Sequence, residues 1–216
     1  MSRLKIDELN ELNKNSRAVI PIKQFFGEMD IDEEDKERRI LLAEDLANII
    51  LLFLLMIEAE IKIGARPDSG YYVESIKNRI TLAIGSLSWV NPKNIEEILN
   101  NIDNVIFEMV DNTIRQEKTL SDAERAVAIA EDMSNFVGNE EVFWKAKING
   151  YNYKTWITIM DGKERKSHKA MNGKKIPIDQ PFNVNGSMMM FPMDLQFKPN
   201  PSEYIRCRCK VDYSRK

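Results

Sequence analysis

Apolar residues recur every third or fourth position through the first two thirds of the chain and every second position near its end, so helices should give way to strands. From Glu33 to Ile63 the positions Ile40, Leu41, Ala43, Leu46, Ala47, Ile50, Leu51, Leu54 and Ile57 keep helical spacing, with acidic residues between them. The central turns are apolar nearly all round, which suits a helix buried in a bundle. Gly64 and Pro67 should end it. A second helix is expected from Tyr71 to Leu87. Asn91 and Pro92 then suit the N-cap and first position of a third, with a core face of Ile95, Ile98, Leu99, Ile102, Ile106 and Met109. Ser121-Asp122-Ala123-Glu124 is a capping box. It should open a fourth helix through Ala126, Ile129, Ala130 and Met133, with Gly138 as a candidate break before Phe143 and Trp144.

Beyond Gly150 the texture changes. Lys154 to Met160 is rich in aromatic and β-branched residues and predicts a strand, followed by an Asp161-Gly162 turn. Lys163 to Met171 suits a short helix carrying Arg165, His168 and Lys169 on one face, before a second turn at Asn172-Gly173. A stretch rich in Pro, Asn and Gly follows, containing the run Met188-Met189-Met190-Phe191. Ile205 to Tyr213 is expected to be a closing strand. Ile205, Cys207, Cys209, Val211 and Tyr213 would share its buried face, and Arg206, Arg208, Lys210 and Asp212 the other. The expected fold class is α+β: an N-terminal helical bundle (residues 1–150) followed by a small, basic C-terminal module with an antiparallel sheet (residues 151–216).

Composition adds constraints. Two cysteines in 216 residues exclude a disulfide scaffold and point to a reducing compartment. The first apolar cluster follows an acidic stretch far from the start, so no signal peptide is expected. The longest apolar run, Leu46 to Ile57, has 12 residues. A bilayer span needs about 20, so a core helix is expected, with no membrane partner and a soluble chain in the cytosol at synthesis. The formal charge of −3 is unevenly spread: residues 154–216 hold 13 Lys/Arg and 6 Asp/Glu, and the preceding residues 18 and 28. The end of the chain is thus +7 and the rest −10. A polyanion, an acidic protein surface or charge complementarity within an assembly would each account for that asymmetry.

Cys207-Arg208-Cys209 and His168, the one histidine, form the set that could carry chemistry. As soft ligands they suit zinc, with Asp161 or Asp194 as a fourth donor. The C-x-C spacing and the lack of a second cysteine pair favour instead two small buried hydrophobes with free thiols. No metal and no cofactor are therefore expected. His168 as a general base, or paired with a cysteine nucleophile, lacks a local signature, and it could simply anchor the turn through Asp161. Lys163, Arg165, Lys166, Lys169, Lys174, Lys175, Arg206 and Arg208 are candidates to track phosphates or to meet a protein partner.

Lys154-Thr155-Trp156, Thr158, Asp161, Arg165, His168 and Gly173, then Phe182, Gly186, Pro192 and Cys207-Arg208-Cys209, together resemble the phage Mu F-like minor head protein family, also called the phage head morphogenesis domain. The resemblance covers roughly residues 121 to 213. Lys163 stands where the family usually has arginine, and Ala128-Ile129-Ala130-Glu131 where its helical lead-in usually reads Ala-Arg-Thr-Glu. The resemblance implies a minor structural protein of a tailed bacteriophage or prophage. Such a protein would sit on the portal inside the head, support head assembly and genome retention or ejection, and touch double-stranded DNA without sequence preference. Portal protein and other capsid proteins would be its partners, the virion interior its destination, and the host cytoplasm its place during assembly. No catalytic residue is implied. Trp156, Asp161, Arg165, His168, Cys207 and Cys209 would form a structural cluster, in which Asp161, Arg165 and His168 hold the module together by charge-assisted hydrogen bonds with the cysteines packed beneath them. The competing reading is a metal-assisted nuclease or toxin-like enzyme using His168 with Cys207 and Cys209.

Overall fold

The computed structural model describes residues 19–117 and 120–216. Seven helices are described: α1 (Val19–Gly27), α2 (Glu33–Lys62), α3 (Ser69–Gly85), α4 (Ile95–Ile114), α5 (Asp122–Ile148), and two single turns, α6 (Lys166–Lys169) and α7 (Pro201–Tyr204). Five strands accompany them: β1 (Tyr153–Ile157), β2 (Lys175–Pro177), β3 (Phe182–Val184), β4 (Ser187–Met189) and β5 (Lys210–Ser214). The fold is α+β, as the change of period predicts.

The helix signals act as anticipated. Asp68 caps α3 by accepting the Tyr71 N–H at 3.0 Å. Asn91 caps the 3₁₀ turn Pro92–Asn94 that leads into α4. At α5 the Glu124 N–H donates to Ser121 Oγ at 3.3 Å while Glu124 accepts the Ser121 N–H at 3.0 Å, a reciprocal capping box.

The described chain divides into two compact units. One comprises residues 19–24 and Ile40–Glu131, the other Phe25–Arg39 and Asp132–Lys216. The expected division at residue 150 falls inside the second unit.

In the first unit the core is aliphatic. Leu46, Ile50, Leu54 and Ile57 of α2, Ile76, Ile80 and Ile84 of α3, and Ile98, Ile102, Ile106 and Val110 of α4 are all buried. Polar contacts thread between the helices: the buried Tyr72 donates to Glu60 at 2.7 Å, Lys77 pairs with Asp103 at 2.8 Å, Gln116 donates to Glu58 at 2.9 Å, and Arg125 donates to the buried Thr113 at 2.9 Å. By length and apolar content alone α2 could cross a bilayer, its apolar stretch being longer than the 12-residue run suggests. Half of that stretch is buried inside the protein.

The second unit is organised by polar groups. Its three-stranded antiparallel sheet has the order β2-β1-β5, with Trp156 opposite Val211 and Lys154 opposite Ile176. Lys154, Trp156 and Thr158 face inward from β1 and its continuation. A β3–β4 hairpin turns on Asn185 and Gly186, at φ 53° and 86°. Two successive positive φ values are what a two-residue type I′ turn requires.

Gly138 does not break α5, which runs on to Ile148. It makes room instead. The guanidinium of Arg39, 1 % exposed, occupies the space where a Cβ would stand, with Cζ only 2.4 Å from that position. Arg39 donates to Asn135 Oδ1 at 2.5 Å, Asn139 Oδ1 at 2.9 Å and Asp35 at 2.7 Å, so its charge is buried with partners.

Three further expectations are corrected. The helix proposed for Lys163 to Met171 is a single turn, because Asp161 and Glu164 hold the preceding N–H groups in a loop. The strand expected from Lys154 to Met160 ends at Ile157, since Thr158 N–H is taken by Asn172. The closing strand begins at Lys210, not Ile205. Arg206 adopts a left-handed φ of 58°, which interrupts an extended run and leaves Ile205 45 % exposed.

Candidate functional site

The sequence candidates separate into an inner cluster and an outer ring. The inner cluster forms where α6 meets the segment entering β5. His168 lies on α6, and its ring stands edge-on to Trp156, centroids 5.6 Å apart. Its Nδ1 lies 3.6 Å from Cys207 Sγ and 3.4 Å from Cys209 Sγ. His168, Cys207 and Cys209 are each at most 4 % exposed. The C-x-C spacing operates as the alternation predicts from Cys207 onward: both thiols point inward and Arg208 outward.

Several bonds set this geometry. Cys207 N–H donates to Tyr204 O at 3.0 Å, turning the chain after α7. The unfavourable φ of Arg206 is held by its N–H, which donates to Asp132 at 2.9 Å, and by its guanidinium over the Phe25 ring at 4.5 Å. Burial pushes the Asp132 carboxyl up to about 7, against the Arg206 N–H and the Arg165 charge, which pull it down. Asn135 fixes the Cys207 carbonyl with a 2.8 Å bond.

On its other side His168 faces Glu203. Nε2 and Oε2 are 3.4 Å apart, and Glu203 is itself 4 % exposed. Ser167 at 2.7 Å and Asn185 at 3.1 Å donate to the Glu203 carboxylate. Burial works to raise its pKa, but these two bonds and the neighbouring His168 ring prevail and hold it below the usual carboxylate range. Within the thiol pair the hydrogen bond between them drives the two apart. Cys209 is pulled well below an ordinary thiol, with help from His168 and Thr158, and Cys207 is pushed above, with burial adding to the rise.

Asp161 and Arg165 belong outside it. Asp161 pairs with Arg208 at 2.8 Å and accepts the Lys163 N–H, so it neither anchors His168 nor faces the thiols. Arg165 donates to the Ile205 carbonyl. Each of the three makes its own attachment within the module: Asp161 to Arg208, Arg165 to the Ile205 carbonyl, and His168 toward the thiols and Glu203. Asp194, the other carboxylate considered near the thiols, accepts the N–H groups of Met190 at 2.7 Å and Gln196 at 2.9 Å.

The basic candidates divide in the same way. Arg208 bridges Glu28 at 2.6 Å and Asp161, Lys210 meets Asp30 at 2.9 Å, and Lys163 reaches Glu28 at 3.3 Å. The stripe expected on the outer face of the last strand is thus largely neutralised by acids from residues 28–30. Lys166, Lys169, Lys174 and Lys175 remain on the surface, Lys169 loosely paired with Glu164 at 3.7 Å and Lys175 over Tyr153 at 4.9 Å.

Sequence reasoning missed Glu203, Asp132, Asn135 and Lys154. Glu203 sits in a Pro- and Asn-rich stretch without periodicity, and nothing local signals it. Lys154 is buried, with Nζ donating to Met190 O at 2.7 Å between the rings of Phe143 and Phe182. Burial pulls its pKa down to about 7.

The family model of phage Mu protein F like proteins matches residues 93–212, more than half of the chain. The chain belongs to that family. The match takes in α4, α5 and the second unit from Asp132 to Asp212, so the phage Mu protein F like region includes the whole His168–Cys207–Cys209 cluster. Neither a curated protein nor a solved structure matches the chain. Membership makes this a bacteriophage head morphogenesis protein, a virion component that works with other phage head proteins.

Proposed function

We propose that this chain is a minor structural protein inside the phage head, docked on the portal, that supports head assembly and genome retention or ejection. It acts by making contacts and not by catalysis, and it passes through the host cytoplasm before assembly. The observation that carries this reading is the family match across residues 93–212. Supporting it, residues 154–216 are +7 on a chain that is otherwise −10, as suits a partner that is itself acidic.

Contact with packaged DNA would run chiefly through the exposed Lys166, Lys169, Lys174 and Lys175, because the Arg165 and Arg208 side chains are bonded within the module, the Arg206 guanidinium lies over Phe25, and Lys163 pairs with Glu28. Lysines act as point charges on mobile stems and follow phosphates without reading bases. Such binding should be weak and fall steeply with salt.

Quantitative mass spectrometry of purified, DNA-filled heads after tail removal tests the reading. A few copies per head, up to a portal ring's complement, are expected to stay with the heads. Absence from the particles would overturn an internal structural role.

A further inference from the structure

The inner cluster has a geometry that packing alone does not require. We propose that His168 Nδ1, Cys207 Sγ and Cys209 Sγ bind a zinc ion that clamps α6 to the segment entering β5.

The three ligand atoms lie within 4.8 Å of one another. A tetrahedral zinc with Zn–N of about 2.05 Å and Zn–S of about 2.3 Å has N···S edges of about 3.6 Å. The two observed edges are 3.4 and 3.6 Å. Hydrogen bonding serves this arrangement less well. A ring nitrogen offers either one lone pair or one proton, so Nδ1 can bond one sulfur fully and the thiols must otherwise turn to each other and to Thr158 Oγ1, 3.6 Å from Cys209 Sγ. A cation placed between the three atoms satisfies all of them. Two thiolates neutralise Zn²⁺, so the buried site would carry no net charge, which burial at this depth demands.

Glu203 is an independent observation. Histidine ligands usually direct the second ring N–H to a carboxylate, which sets the tautomer and aims the other nitrogen at the metal. Here Nε2 faces Glu203, and that carboxylate is buried and fixed by Ser167 and Asn185. At 3.4 Å the pair falls short of a formed hydrogen bond, and a proton on Nε2 drawn to Glu203 would leave the Nδ1 lone pair for the metal. Donor softness selects the metal: two thiolates and an imidazole suit zinc, whereas magnesium and calcium take oxygen.

With Asp161 and Asp194 engaged elsewhere, the fourth ligand is a water. A cavity of about 30 Å³ lined by Thr158, His168 and Cys209 adjoins the site, room for about one molecule. Lys163, Glu164, Arg165, Arg206 and Arg208 border it. The Glu164 carboxylate there is already taken by the Gly162 N–H at 2.7 Å and by Lys169 at 3.7 Å, so the ion is assigned a structural role.

The test uses the full chain, zinc-loaded and then dialysed against metal-free buffer. One zinc per chain is expected by plasma mass spectrometry, cobalt(II) in its place should give thiolate-to-metal charge-transfer absorption, and chelation should lower the melting temperature. The Cys207→Ser/Cys209→Ser double variant should lose both metal and absorption. Should that variant fail to fold, Glu203→Gln keeps all three ligands and should bind zinc about 10–100-fold more weakly in competition with a chromophoric chelator. Folded wild-type chain that retains substoichiometric zinc and gives no cobalt–thiolate band overturns the proposal, as does full zinc in the double variant. The head role stands or falls separately, on the particle measurement.

Discussion

The two units of this protein reach stability by different routes. The first buries long runs of Ile, Leu and Val along α2, α3 and α4, with a smaller set of buried polar groups such as Tyr72 and Thr113. The second buries Arg39, Asn135, Asn139, Lys154, His168, Asp194 and Glu203, each with named partners. Apolar packing tolerates replacement by shapes of similar volume, whereas a buried polar group is stable only while its partners stay in place. The first unit should therefore accept change by degrees and the second fail at single positions.

The sharpest break of that contrast is Arg39→Ala. It strips partners from Asp35, Asn135 and Asn139 and should cost about 3–5 kcal/mol, measured as a drop in urea-unfolding stability by circular dichroism. A loss near that of a surface substitution would show the network to be dispensable.

The next effect is read as a slope against pH. Lys154 has a folded-state pKa of about 7, below the ordinary 10.5, so the unfolded chain binds more protons between those values. Its contribution to stability is complete above pH 10.5 and is lost as pH falls through 7. Lys154→Met should flatten the rise in unfolding midpoint between pH 7 and 9 relative to wild type. Parallel curves for the two proteins would show that Lys154 is not desolvated.

Gly138→Ala places a methyl against the Arg39 guanidinium and should cost about 1–3 kcal/mol, although alanine ordinarily strengthens a helix interior. Ile80→Val in the first unit removes one methyl from an aliphatic core and should cost about 0.5–1.5 kcal/mol by the same unfolding assay. Smallest is Lys163→Ala, whose exposed pair with Glu28 should contribute under about 1 kcal/mol and fade with salt. An inverted order, with Ile80→Val exceeding Arg39→Ala, would defeat the comparison.

The same contrast explains what the sequence could reveal. The helices of the first unit were legible because periodicity and caps are local: Asn91-Pro92 and Ser121–Glu124 work where they stand. Arg39 could not be placed, because a polar residue beside an apolar stretch looks like a solvated one. Its burial depends on Asn135, Gly138 and Asn139, about a hundred residues away. Gly138 misled for the same reason, its missing side chain serving a partner and not a bend. The inner cluster was half legible. The C-x-C alternation correctly aims both thiols one way, but nothing before Cys207 announces the left-handed Arg206, and Glu203 enters through tertiary structure alone.

The pairing of β5 with β1 bears on biosynthesis. The α3–α4 hairpin uses neighbours in sequence and can assemble as soon as residue 114 has been made. The sheet cannot, since Trp156 awaits Val211, and Glu28 awaits Arg208, a partner 180 residues later. A ribosome that stops short of residue 210 would release a chain whose β1 keeps one edge open to other strands. The final strand is thus the last part of the sheet to be made, and the β1 edge is covered only once translation has passed through β5.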